Sequence, residues 1–154
     1  MRTLIIATAC LTLPFVAART QTDRVGTFDR KSIVIAFYRS PMYAVTLRER
    51  IAARDSARRI GDSARVRELE TWGVRQQQTA HEQLAGDAPI ANILDALRPA
   101  FDSITKAARL RTVVAAPFNE ARADVVDVTP SLLDWLQADA KTRDIISQIP
   151  RAPT

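Results

Sequence analysis

Residues 110–136, LRTVVAAPFNEARADVVDVTPSLLDWL, hold two dense β-branched runs followed by a helix-opening Thr-Pro-Ser. The runs at 110–117 and 123–128 read as two strands, and the five residues between them suit a hairpin. Thr129 stands where an N-cap is wanted, with Pro130 at the first helical position. A final helix is expected from there to near Pro150, with Leu132, Leu133, Leu136 and Ile146 inward. Comparable β-branched and aromatic density recurs only at 25–41, VGTFDRKSIVIAFYRSP, read as a strand leading into a short apolar element that Pro41 closes. Strands near both ends of the chain imply a small sheet assembled from sequence-distant segments.

The intervening sequence is helical. Residues 42–60 are rich in Ala, Arg and Glu, with a thin apolar stripe at Ala44, Leu47 and Ile51 that meets Arg54 where another apolar residue is due. Gly61-Asp62-Ser63 breaks the helix, Gly61 suiting a C′ position and Asp62 or Ser63 an N-cap. A second helix over 64–85 has a weaker stripe: Val66, Leu69, Gly73, Gln76, Ala80 and Gln83. Two polar seams make a poor coiled coil, so this hairpin reads as a solvated projection. Beyond Gly86-Asp87-Ala88-Pro89, Ile90, Ile93, Leu94, Leu97, Phe101, Ile104 and Ala108 keep the spacing of a buried face, with Pro99 as a kink or joint. The fold class expected is α+β, a small sheet body with a projecting, coiled-coil-like helical hairpin. Its divisions are a body at 19–41, an arm at 42–109 with its tip near 61–63 and its end returning into the body, a second body segment at 110–150, and a tail at 151–154.

The first 18 residues read as a cleavable secretory signal: Arg2, an apolar run from Leu4 to Val16, then Ala17-Ala18. As a helix that run is about 20 Å long, short of a bilayer core of roughly 30 Å, so an anchor is the weaker reading. Export to the periplasm follows from it. The sole Cys, Cys10, lies inside this segment, so the remaining 136 residues contain no thiol and no disulfide can hold them.

The 154-residue chain has 22 basic and 17 acidic side chains, and 19 of the basic ones are Arg. Four Gly and eight Pro leave few residues for the turns of an all-β fold. Residues 39–75 contain nine Arg against five acids, so the basic excess lies mainly on the hairpin. Its candidate binding residues are Arg48, Arg54, Arg58, Arg59, Arg65 and Arg67, with Trp72 as either an apolar contact or a packing residue beside Gly73. A net basic arm attracts polyanions or acidic polypeptides. The plainer alternative is that each Arg solubilises exposed helix and pairs with Glu49, Asp55, Glu68 or Glu70.

Motifs that carry catalysis are missing. The single His81 has no second His four residues on, the glycines are isolated, and there is neither a Cys pair nor a nucleophile signature. Asp124, Asp127 and Asp134 are close in sequence, but structural roles suit them better than a carboxylate dyad. An enzyme, a metal site and a cofactor are therefore not expected. Nucleic-acid binding is disfavoured, since the export signal opposes it and no aromatic-basic platform is visible.

The order of a secretory signal, VGTFDRKSIV, a basic helical hairpin, ILDALRPAFDSITKAARLRTVVAAP and VVDVTPSLLDWL resembles the periplasmic Skp/OmpH chaperone family over the whole exported chain. Asp127-Val128-Thr129 before Leu132-Leu133 is its most distinctive part. The chain departs from the family pattern at Gly73, Gly86 and Pro89, which interrupt the returning arm. The resemblance implies a homotrimer whose sheets join into a barrel and whose arms enclose unfolded outer-membrane proteins, an ATP-independent holdase without cofactor. The alternative is a periplasmic structural or adaptor protein whose Arg-rich arm binds anionic lipid or lipopolysaccharide.

Overall fold

The computed structural model describes residues 24–116 and 122–149. The signal reading at 1–18, the first body residues to 23, Phe118 and most of its linker, Pro150 and the tail at 151–154 lie outside the described residues. The chain is mixed and mostly helical, with seven helices and one three-stranded sheet among the described residues.

Strand β1 (Val25–Phe28) is the centre of that sheet, flanked by β2 (Thr112–Ala115) and β3 (Val125–Asp127). Both flanking strands run parallel to β1, with Val25 opposite Thr112 on one side and Val125 on the other. The hairpin expected of 110–128 is therefore corrected: β2 and β3 point the same way and are not bonded to each other. The short linker suggested a reversal, but β1 arrives from far away in sequence and offers each of them a full ladder. The sheet is open, not closed. Gly26 is required at its centre, because a Cβ there would lie 2.8 Å from Leu110, 3.0 Å from Val113 and 3.2 Å from Val128.

β1 ends where Asp29 caps helix α1 (Arg30–Arg39), accepting from the Ser32 backbone N–H at 2.7 Å. Ile33, Val34, Ala36 and Phe37 then fall on the core face at helical spacing. Ser40, extended and buried, caps helix α2 (Pro41–Arg59), with Pro41 in its first turn. The Tyr43 N–H donates to its hydroxyl at 3.2 Å. Gly61, at φ +75°, and Asp62, which accepts from the Arg65 N–H, turn the chain into helix α3 (Ser63–Ala85). Gly86, at φ +105°, ends α3.

Helices α4 (Ala91–Ala96) and α5 (Arg98–Ala107) occupy the third helical pattern, divided at Leu97, so that Pro99 marks a joint. Ile90, Ile93, Leu97 and Ala100 are buried, and Phe101 stacks on Phe28 of β1 at 5.7 Å. The final helix is corrected to two, α6 (Thr129–Trp135) and α7 (Ala140–Ser147). Gln137 adopts φ +54°, and Asp139 starts a new helix by accepting from the Thr142 N–H at 2.7 Å. Thr129 is likewise not a side-chain cap but the first residue of α6. Its N–H donates to Asp127 at 2.9 Å, while its hydroxyl accepts from the Asp29 N–H at 3.0 Å. The Asp-Val-Thr motif thus ties the start of α6 to the start of α1.

The buried apolar cluster draws on β1, α1, α4, α5, α6 and the segments beside them. No fully buried member of it comes from α2 or α3, which contribute only the partly buried Tyr43 and Leu84.

Candidate binding surface on the helical hairpin

α2 and α3, of 19 and 23 residues, are about 28 and 34 Å long. Their seam contains little apolar material: within the pair only Ala57, Leu69 and Gln83 are buried. The α3 stripe lies where the spacing places it, with Leu69 and Gln83 buried and Val66, Gly73, Gln76 and Ala80 half-buried along the same face. The α2 stripe is kept in part, with Ala44 and Arg54 half-buried, but Leu47 and Ile51 are exposed and the sheltered face is rotated from the expected one. Tyr43, Arg54 and Ala57 are sheltered, Arg50 stacks over the Trp72 ring at 5.3 Å, and Ile51 stays exposed. Tyr43 sets this rotation, because its ring packs on Tyr38 and Phe37 of α1 at 4.8 and 5.7 Å. Burial, and then the neighbouring Tyr38, push the Tyr43 phenol above its ordinary pKa.

Three of the six candidate arginines are paired. Arg54 binds Asp55 at 2.9 Å and Arg65 binds Glu68 at 2.5 Å, while Arg58 reaches across the hairpin to Glu70 at 2.6 Å. Being solvent-facing, each pair contributes only ~0–1 kcal/mol. Arg48, Arg59 and Arg67 are exposed and make no ion pair among the described residues. Asp55 stands four residues before Arg59 and Glu70 three after Arg67, but both carboxylates are taken elsewhere, and Asp62 caps α3. Trp72 is half-buried beneath Arg50.

The sequence reading omitted Arg75, which is also exposed and without an ion pair among the described residues. Its signal was available, since no acid stands three or four residues from it on either side. Exposed apolar side chains were missed as well. Ile60 at the turn is 77% exposed, Val74 67%, and Leu47 and Ile51 39% and 41%. They mark helix surface that polar seams leave uncovered.

The body carboxylates are engaged in hydrogen bonds. Asp124 meets Arg122 at 2.7 Å, which holds its pKa below the usual range, and Asp134 meets Arg143 at 2.6 Å. Asp127 accepts from the Thr129 N–H at the start of α6, and His81 is an exposed residue of α3. Among the described residues no group of three or more His, Cys, Asp or Glu could hold a metal ion, and no helix is long and apolar enough to cross a membrane. Comparison with known protein families, curated proteins and solved structures found no match for this chain.

The hairpin thus offers free guanidinium groups interspersed with exposed aliphatic side chains, on helices that contribute almost nothing to the core. Such a surface can hold an extended polypeptide that has carboxylates and apolar side chains, through many weak contacts that need no fixed sequence.

Proposed function

We propose that the chain is an ATP-independent periplasmic holdase that binds unfolded outer-membrane proteins and prevents their aggregation, as its resemblance to the Skp/OmpH family implies. The observation that carries this reading is the hairpin surface, where unpaired Arg48, Arg59, Arg67 and Arg75 accompany exposed Leu47, Ile51, Ile60 and Val74. In this reading the hairpin is an arm that projects from the body and holds acidic, unfolded clients by screened attraction. Assembly as a homotrimer with a joined barrel is supported by the open sheet, whose strands are three or four residues long. β2 is exposed along most of its length, with Val114 41% accessible, and a neighbouring strand would cover it. Export is supported by the signal-like residues 1–18.

The test dilutes a urea-unfolded outer-membrane protein into buffer with and without the chain, following light scattering and complex mass at two salt concentrations. The expected result is suppressed scattering by an oligomer, weakening as salt shortens the reach of the charges from about 8 Å. A monomer that leaves aggregation unchanged contradicts the proposal. Sedimentation with anionic vesicles but no client capture would replace it with the adaptor reading.

A further inference from the structure

The hairpin joins the core chiefly along α1, where Tyr43 packs on the Phe37 and Tyr38 rings and Arg30 donates to the Ala88 carbonyl, and one buried polar side chain ties that junction to α4. Gln83, in the last turns of α3, is only 2% exposed, and both of its amide donors and its carbonyl oxygen are engaged. Its Oε1 accepts from the Tyr38 hydroxyl of α1 at 2.9 Å. Its Nε2 donates to the Pro89 carbonyl at 2.7 Å and to Asn92 Oδ1 of α4 at 2.6 Å. One buried amide therefore links α1, α3, the connecting turn and α4.

The surroundings allow movement if that link opens. On one side the hairpin leaves the body at Ser40, a single extended residue between two helices. On the other it ends at Gly86 in a left-handed conformation. Between these points only Tyr43 and Leu84 of the hairpin pack against the apolar cluster. Non-directional apolar contacts tolerate small rotations, whereas a buried amide with three directional hydrogen bonds has one good geometry and is costly to leave with a donor unpaired.

From this we infer that Gln83 is a positioning residue: its network with Tyr38, Asn92 and Pro89 locks the angle between hairpin and core, and its opening lets the hairpin swing about Ser40 and Gly86. The claim concerns the joint itself and stands whether or not the hairpin holds clients.

Spin labels at Ile60→Cys, on the turn, and Lys141→Cys, on α7, test it in a Cys10→Ser chain diluted into excess unlabelled protein so that only distances within one chain are read. The parent should give one narrow distance. Tyr38→Phe, which keeps the ring stack and deletes only the hydroxyl, and Asn92→Ala should each lose it in favour of a broad distribution, as should Gln83→Leu. Amide protection in β1 should stay at the parent level. A distribution that is already broad in the parent, or equally narrow in all three variants, would overturn the inference. So would broadening accompanied by loss of β1 protection, because the network would then hold the core and not the angle.

Discussion

Gly26 and Gly73 differ in the same way as the two regions they occupy. At Gly26 in β1 an added methyl would press on three core side chains, because the sheet and its covering segments are packed to contact there. At Gly73 in α3 a methyl would meet nothing within 4 Å beyond its chain neighbours and own helix backbone. The body is specified by close packing of apolar groups. The hairpin is held by helix-forming sequence, two caps, a cation–π stack and solvent-facing ion pairs, and its surface is left for other uses. Stability thus rests mainly on one segment of a short chain, and the proposed binding falls on another.

That division can be broken most forcefully in the body. Leu132→Ala, at a fully buried position, should cost about 2–5 kcal/mol and unfold the whole body in urea, whereas Ile51→Ala on α2 should change stability by no more than ~0.5 kcal/mol. Equal losses at the two sites would erase the contrast. Gly26→Ala should destabilise by about 1–3 kcal/mol through overpacking. Gly73→Ala should do the reverse, adding up to ~1 kcal/mol of helix stability, and urea unfolding of both variants reads the two signs together. Both glycines losing stability would mean that the seam is tighter than its geometry indicates.

A smaller effect belongs to Asp139, whose pKa is held below the ordinary carboxylate value by the Thr142 hydrogen bond. The folded form therefore favours the carboxylate, so its contribution is present at neutral pH and is lost as the pH falls through the depressed pKa. Thermal melts of the parent and Asp139→Asn should differ at neutral pH and converge in acid. A constant difference at all pH values would assign the effect to packing instead.

Much of the architecture is legible in the sequence because it rests on local rules. The turn at Gly61-Asp62, the α3 stripe and the apolar face of 90–108 follow from φ preference, capping and periodicity, and the structure keeps them. What spacing could not supply were the choices settled at long range. β2 and β3 take opposite edges of β1 because a strand some ninety residues away offers both of its sides. The Thr129 hydroxyl accepts from the Asp29 N–H across the body and so does not cap its own helix. The α2 face turns toward Tyr43 and Arg50 because rings on α1 and α3 hold those side chains. At the candidate site the sequence placed the excess of arginine on the hairpin but not which members are free. That depends on Glu70 crossing to Arg58 and Asp55 binding Arg54, partners that helical spacing does not select.

The central claim is that the hairpin binds and the body folds. Its most direct test replaces Arg48, Arg59, Arg67 and Arg75 together with Gln and measures both urea unfolding and the suppression of scattering by a urea-unfolded outer-membrane protein. None of these side chains makes an ion pair among the described residues, so unfolding should be unchanged while suppression is lost. Suppression undiminished in a variant that unfolds like the parent would contradict the account.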